Sequence, residues 1–140
     1  MIKEIITIMD KETLYQYQSL NRELEELMER YSTIINTYHS PATSSTGSGG
    51  TPSNPTEKAE LRLTELEGEY LKMINNVIDK QASIMRWLNK IDDSDFRAIV
   101  RYHFFNGLSW AETSKKVWNY EDSQSSRVYF NRRFKYYRNV

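Results

Sequence analysis

Cysteine is absent from the 140 residues of this chain, and proline and glycine are few, with three and five residues. Without thiols, the chain can form neither a disulfide bond nor a thiolate zinc site. No apolar run approaches the roughly 18 residues that a membrane span requires, and the first residues, MIKEIITIMDKE, lack the order of regions of a signal peptide. We therefore expect a cytoplasmic protein without a membrane partner.

Residue patterns that would carry catalysis or bind a metal are also missing. The two histidines, His39 and His103, are isolated, with no partner histidine at ligand spacing. No Ser/His/Asp arrangement or pair of carboxylates stands out, and the glycine cluster at residues 47–50 lacks the lysine of a phosphate-binding loop. The sequence therefore predicts a non-enzymatic protein with no catalytic residues, metal, cofactor or small-molecule substrate.

Two heptad repeats dominate the first two thirds of the chain. Each places apolar or tyrosine side chains every seven residues, with a second set three residues later, which is typical of an amphipathic helix that packs against a partner. The repeat over residues 10–38 consists of Tyr17, Leu20, Leu24, Leu27, Tyr31, Ile34 and Tyr38, and the later repeat consists of Leu63, Leu66, Tyr70, Met73, Val77, Ile84, Trp87 and Ile91. Asp10 and Thr56 are the expected N-caps of these two helices.

The stretch between the repeats, residues 40–56, reads SPATSSTGSGGTPSNPT and has no charged side chain. Such a composition predicts a flexible linker, whether natural or engineered. We therefore expect residues 1–91 to form a long, coiled-coil-like helical hairpin with this linker at residues 40–56. Because one hairpin leaves part of a broad apolar stripe uncovered, we expect this region to form a homo-oligomer, most simply a dimer.

Positive charge is concentrated in the last third of the chain. From Arg97 to the C-terminus, nine lysine and arginine residues stand against three acidic residues, which gives this segment six net positive charges. The chain as a whole is formally neutral, so the remainder carries about six negative charges. This separation indicates that the C-terminal end faces an anionic partner.

Helix-start and helix-stop residues divide this basic segment into three helices. They are the acidic cluster at residues 92–95, the break at Asn106-Gly107, the capping box Ser109/Glu112, the break at residues 119–122, and a cap at Asp122 or Ser123 for a last helix that reaches about Tyr137. A supporting helix, a short helix, a turn and a basic helix follow in the order of a helix-turn-helix. The sequence thus predicts an all-α protein in which residues 92–140 form a helix-turn-helix DNA-binding head.

A helical wheel separates two faces of the last helix. Phe130, Phe134 and Tyr137 share the face expected to be packed. The candidate base-contacting residues are Gln124, Ser125, Val128, Asn131, Arg132 and Lys135, and the candidate phosphate anchors are Lys115, Lys116, Arg133 and Arg138. Arg127 is a further candidate DNA contact. Other interpretations stay open: the charges can form a solvated face, Val128 can pack inward, and the C-terminal tyrosines can stack on single-stranded nucleic acid.

The segment from FRAIVRYHFFNGLSWAETSKKVW to NYEDSQSSRVYFNRRF resembles the region-4-like heads of sigma-type factors. In particular, it is similar to small phage late-transcription regulators of the ArpU/RinA kind. The matching residues are Arg97, Tyr102, Gly107, Ser109, Trp110 and Glu112, whereas Thr113-Ser114 stands where that family usually has Ile-Ala. The resemblance implies a sequence-specific, double-stranded-DNA-binding regulator of phage or prophage late genes in a bacterial host cell, with RNA polymerase as a further partner.

Two other functions fit the same sequence features. A small terminase subunit, which recognises viral DNA for packaging, also combines a helix-turn-helix with helical oligomerisation parts. A protein-interaction module, such as a phage inhibitor of a host complex, would use the head to bind protein in place of DNA. Salt-sensitive retention of duplex DNA separates this last function from the other two.

Overall fold

A computed structural model describes residues 8–38 and 54–140 of the chain. These residues form five α-helices and no strand, which confirms the expected all-α class for this part of the chain. The helices are α1 (Lys11–Tyr38), α2 (Asn54–Asn89), α3 (Ser94–Ile99), α4 (Trp110–Trp118) and α5 (Ser125–Tyr137), and a π-helical segment, Val100–Phe105, continues α3. None of the helices described is long and apolar enough to cross a membrane.

The start of α1 is fixed by Asp10, as the sequence predicts. The backbone N–H of Thr13 donates a 2.7 Å hydrogen bond to Asp10 Oδ1. That bond satisfies one of the free amides of the first helical turn. It is also the main reason why the pKa of Asp10 lies below its ordinary value.

The start of α2 differs from the expectation. The helix begins at Asn54, so Thr56 lies within its first turn and is not the N-cap. Pro55 is tolerated there because the first turn of a helix does not use its backbone N–H groups. The rest of the predicted linker, residues 40–53, lies outside the described residues, as does His39.

α1 and α2 form the expected hairpin-like arrangement, but the buried row of α2 is shifted from the predicted one. On α1, the predicted positions Leu20, Leu27 and Ile34 are buried. On α2, Leu66 and Met73 are 45% and 42% exposed. Val77, Ile84 and Trp87 are buried as predicted, and Ile74, Gln81 and Leu88 are buried in addition. The buried second set therefore follows the first by four residues over most of this helix.

The chain folds into two compact units. The hairpin unit is Arg22–Asp79, and the head unit combines the described residues of Met1–Asn21 with Lys80–Val140. The head unit is thus larger than the segment 92–140 to which the sequence assigns DNA binding. The difference arises because the first turns of α1 and the last turns of α2 pack with the C-terminal helices, which a boundary drawn along the chain does not anticipate.

Within the head unit, the start of α1 is tied to the C-terminal helices by three contacts. Leu14 is completely buried. The side-chain amide of Gln18 donates a 2.8 Å hydrogen bond to the carbonyl of Phe104, and the backbone N–H of Met9 donates to the carbonyl of Arg138 at 2.9 Å. The two hydrogen bonds join residues that are more than 85 positions apart in the sequence. The head unit therefore includes the start of α1 as part of its packing.

Gly107 ends the helix before α4 in the left-handed conformation that the sequence predicts, with a φ of 78°. A Cβ atom on this residue would lie 2.9 Å from Oε1 of Gln18. The position therefore favours glycine because of its left-handed backbone, and a larger residue would also displace the side chain of Gln18.

We expect Leu14→Ala to destabilise the head unit by about 2–5 kcal/mol, because it leaves a cavity at a fully buried site far in sequence from residues 92–140. The matched control is Leu61→Ala on α2, where the side chain is 61% exposed and the expected change is within about 0.5 kcal/mol. Urea denaturation of both variants measures the difference. Equal stabilities would contradict the packing of α1 in the head unit.

Candidate nucleic-acid interface

α4 begins with the capping box predicted from the sequence. Ser109 Oγ accepts a 3.1 Å hydrogen bond from the N–H of Glu112, and the Glu112 carboxylate accepts one of 3.3 Å from the N–H of Ser109. The helix ends at Asn119, which adopts a left-handed conformation with a φ of 64°. Because both ends of α4 are fixed by local residues, the chain leaves the helix in a defined direction towards α5.

The turn before α5 is closed by Asp122. Its carboxylate accepts hydrogen bonds from the backbone N–H of Gln124 at 2.8 Å and from the hydroxyl of Ser125. Gln124, which immediately precedes the helix, makes no capping bond with its side chain. Asp122 therefore supports the turn before α5, but the N-cap position is Gln124, so neither of the predicted caps, Asp122 or Ser123, is the N-cap.

Two buried hydroxyl groups lock α4 to α5. Ser114 Oγ donates to Ser126 Oγ at 2.8 Å and accepts from the backbone N–H of Ser126 at 3.2 Å, while Ser126 Oγ donates to the carbonyl of Trp110 at 2.8 Å. Ser114 and Ser126 are both completely buried. Ser114 thus acts across space as a cap for the first turn of α5.

Thr113, beside Ser114, is also completely buried, but its hydroxyl oxygen has no hydrogen-bond partner among the described residues. A hydroxyl group buried without a partner loses its hydrogen bonds to water and gains nothing in return. The two neighbouring hydroxyl groups therefore differ: that of Ser114 links α4 to α5, and that of Thr113 does not.

Asp93 connects the start of α3 to the packed side of α5. It accepts hydrogen bonds from the N–H of Phe96 at 3.0 Å and from the hydroxyls of Tyr129 and Tyr137, at 2.9 and 3.1 Å, and lies 3.4 Å from Arg133 Nε. Partial burial acts to raise the pKa of Asp93, but these hydrogen bonds and the charge of Arg133 bring it below its ordinary value. Burial, together with the bond to Asp93, raises the pKa of Tyr129 to about 12. The cluster holds α5 against α3 at neutral pH.

The predicted interface residues do not all have the same accessibility. The exposed ones are Lys115, Lys116, Gln124, Arg127, Asn131, Arg132, Lys135 and Arg138, and the partly buried ones are Ser125, Val128 and Arg133. Phe130 and Phe134 are buried and Tyr137 is partly buried, as the wheel predicts. Most of the candidate residues on α4 and α5 thus reach solvent.

Several candidates make contacts within the protein. Arg133 lies over the ring of Tyr129 at 3.6 Å in addition to its contact with Asp93, so its guanidinium is less available to a phosphate than the sequence suggests. Ser125 donates to Asp122. Val128 is half-buried at the edge of an open groove of about 660 Å³, beside aromatic residues that the sequence did not assign to the interface; its lining is Trp118, Tyr120, Gln124, Ser125, Val128, Tyr129, Arg132 and Arg133.

Lys11 is an interface residue that the sequence did not indicate. Its ammonium group donates a 2.8 Å hydrogen bond to Oδ1 of Asn131, on the exposed side of α5. The two residues are 120 positions apart, and no local motif marks Lys11 among the other charged residues of α1. Only the packing of α1 in the head unit brings this lysine to the candidate interface.

His103 takes a structural position beside α4. Its Nδ1 lies 2.7 Å from the carbonyl of Leu108 and must be the donor, so Nε2 accepts the 2.8 Å hydrogen bond from the hydroxyl of Tyr15. The imidazole stacks on Trp110, with ring centroids 3.5 Å apart. Burial lowers the pKa of His103, which is consistent with the neutral ring that these bonds require.

The buried hydroxyls give opposite expectations for two conservative variants. Ser114→Ala should lower the free energy of unfolding by about 1–3 kcal/mol, because the buried N–H and hydroxyl of Ser126 lose their partner. Thr113→Val should leave it unchanged or raise it by up to about 1 kcal/mol, because a methyl group replaces a hydroxyl without a partner. Chemical denaturation of the two variants provides the comparison. A Thr113→Val variant as unstable as Ser114→Ala would mean that the Thr113 hydroxyl is bonded.

Comparison with known proteins gives no relative from which a function can be transferred: no family, no curated protein and no solved structure matches this chain.

Proposed function

We propose that this chain is a sequence-specific, double-stranded-DNA-binding protein in which α4 and α5 act as a helix-turn-helix and α5 enters the major groove. The observation that carries the proposal is the exposed side of α5. It displays basic and amide side chains, while the segment from residue 123 to the C-terminus contains no acidic residue. A surface of this composition attracts the phosphate backbone and can also form hydrogen bonds with base edges.

The proposed roles follow from chemistry and exposure. Gln124, Asn131 and Arg132 carry the amide and guanidinium groups that recognise adenine and guanine edges. Lys115 and Lys116 at the end of α4, with Lys135 and Arg138 on α5, supply positive charge to phosphates on either side of the groove. Arg127 is exposed, but its guanidinium is bonded to the side chain of Gln124, so we assign these two residues to one contact.

The resemblance to phage late-transcription regulators gives the proposal its biological setting. We place the protein in the regulation of late genes of a phage or prophage, with no enzymatic activity of its own and with RNA polymerase as a further partner. A role as a small terminase subunit rests on the same DNA-binding surface. A protein-interaction module would not need a surface so rich in arginine and lysine.

Two variants separate base recognition from phosphate anchoring. Arg132→Ala should weaken binding to a specific site by about 1–3 kcal/mol and relax the preference at one base pair. Lys116→Ala should weaken binding to specific and scrambled duplexes alike, and lower the salt dependence by about one counterion. Both residues are exposed, so neither change should unfold the head unit.

The measurement is a titration of full-length protein into duplexes recovered by selection from a random library, and into scrambled controls, at several salt concentrations. Circular dichroism checks that the variants are folded. If the wild-type protein fails to bind any duplex at about 50 mM salt, the DNA-binding proposal is wrong. If both variants lose the same affinity on both duplexes, α5 contacts the phosphate backbone of the DNA and not the base edges.

We also propose that the hairpin unit associates with a second copy of itself. Leu66 and Met73, seven residues apart on α2, are 45% and 42% exposed, and Met28 on α1 is 53% exposed. Leu71 and Ile78, also seven residues apart, are 42% and 44% exposed. Apolar side chains repeated at heptad spacing match the seam along which a second helix of the same type packs.

The double variant Leu66→Glu/Met73→Glu should convert a dimer into a monomer, because it places four like charges in the proposed seam of two chains. A matched control is Glu65→Gln/Lys72→Gln, which changes two exposed charged residues on the same helix and should leave the association intact. Light scattering at high micromolar concentration measures the mass. A monomeric wild-type chain would refute the association, and a ring of many copies would favour the terminase role.

A further inference from the structure

The contact between Lys11 and Asn131 has a consequence for base recognition, which rests on the proposed function. Asn131 is exposed on α5, but its amide oxygen already accepts a hydrogen bond of 2.8 Å from the ammonium group of Lys11. An asparagine side chain has an oxygen with two lone pairs and an amino group with two donor hydrogens. With one lone pair engaged by Lys11, Asn131 and Lys11 together offer an incoming duplex two neighbouring donors, the amino group and the ammonium group.

Lys11 itself is exposed and brings positive charge to the same place. It lies 5.9 Å from the ring centroid of Phe130 and lines a shallow depression with Asn131, Lys135 and Arg138. Asp10 is the acidic residue of this depression, and its Oδ1 accepts the Thr13 N–H. Because Lys11, Lys135 and Arg138 outnumber it, the depression presents net positive charge to a ligand.

Base edges in the major groove differ in what they offer to such a surface. Adenine presents one acceptor and an amino donor, and an unassisted asparagine grips it by donating with its amino group and accepting with its oxygen. Guanine presents two acceptors, O6 and N7. The ammonium group of Lys11 adds a second positive donor beside the amino group of Asn131. Two neighbouring donors match the two acceptors of guanine, whereas the adenine amino group is itself a donor and is disfavoured next to an ammonium group.

We propose that Lys11 belongs to the DNA-reading surface and changes the specificity of Asn131 from adenine to guanine, as a residue contributed by α1 to the recognition of α5. In this arrangement, Asn131 and Lys11 donate to the two acceptors of one guanine. The base preference at that position is then set by two residues that lie 120 positions apart in the chain.

The test is selection of duplexes from a random library by the full-length chain and three variants. Lys11→Met keeps the aliphatic stem but removes the ammonium group, and Asn131→Ala identifies the base pair read by this residue. Lys116→Met removes an equal charge from α4, away from Asn131, and controls for the general loss of affinity. At the base pair identified by Asn131→Ala, the wild-type chain should select guanine, and Lys11→Met should lower the preference for guanine over adenine about tenfold or more.

A second measurement needs no DNA. The side-chain amide resonances of Asn131 in the full chain should shift in Lys11→Met and stay in place in Lys116→Met, and unchanged resonances in both variants would refute the contact. Three outcomes of the selection are distinguishable. A guanine preference lost in Lys11→Met supports the proposal. If both Lys11→Met and Lys116→Met select the same motif as the wild-type chain, the role of Lys11 is refuted but the DNA-binding proposal is not. No enrichment of any duplex by the wild-type chain overturns the proposed function, and this inference with it.

Discussion

The burial of Phe130 is the constraint on which the arrangement of the head unit depends. Its ring is completely buried, stacks on Phe96 with centroids 5.3 Å apart, and contacts Phe104 at 4.7 Å and Phe134 at 4.8 Å. Because these rings come from α3, the π-helical segment and α5, one side of α5 must face inward. The rotation of α5 about its axis is thereby fixed, and with it the set of side chains that reaches solvent.

Polar contacts then set the direction of α5 within this apolar arrangement. Apolar packing alone tolerates a range of rotations and shifts between helices, whereas hydrogen bonds between buried groups have narrow geometry. Ser114 binds the first turn of α5, and Asp93 binds the hydroxyls of Tyr129 and Tyr137 further along the helix. Buried polar contacts near both ends of α5 therefore fix the helix whose exposed side we propose to contact DNA. A surface that is already rigid loses less conformational entropy when it binds a ligand.

The first turns of α1 complete the same surface from outside the segment that carries its positive charge. Gln18 occupies the carbonyl of Phe104 in the π-helical segment, and Gly107 leaves room for this approach. The same packing of the first turns of α1 brings Lys11 beside Asn131. A chain that is formally neutral overall therefore uses its N-terminal helix both to cover apolar surface and to add charge where the C-terminal helices already concentrate it.

What the sequence determined by itself is the part that depends on residues close together in the chain. Asp10, the Ser109/Glu112 box and Gly107 fixed helix ends, and the spacing of Phe130 and Phe134 fixed the packed side of α5, because caps and helical periodicity involve neighbours within about four residues. The start of α2, which lies three residues before the predicted one, shows that even local signals compete when proline, asparagine and threonine are adjacent. Only the tertiary structure decided that Ile74 rather than Met73 is buried, that Arg133 is bound by Asp93, and that Lys11 reaches Asn131. These outcomes depend on where the chain returns after many residues, and neither periodicity nor composition contains that information.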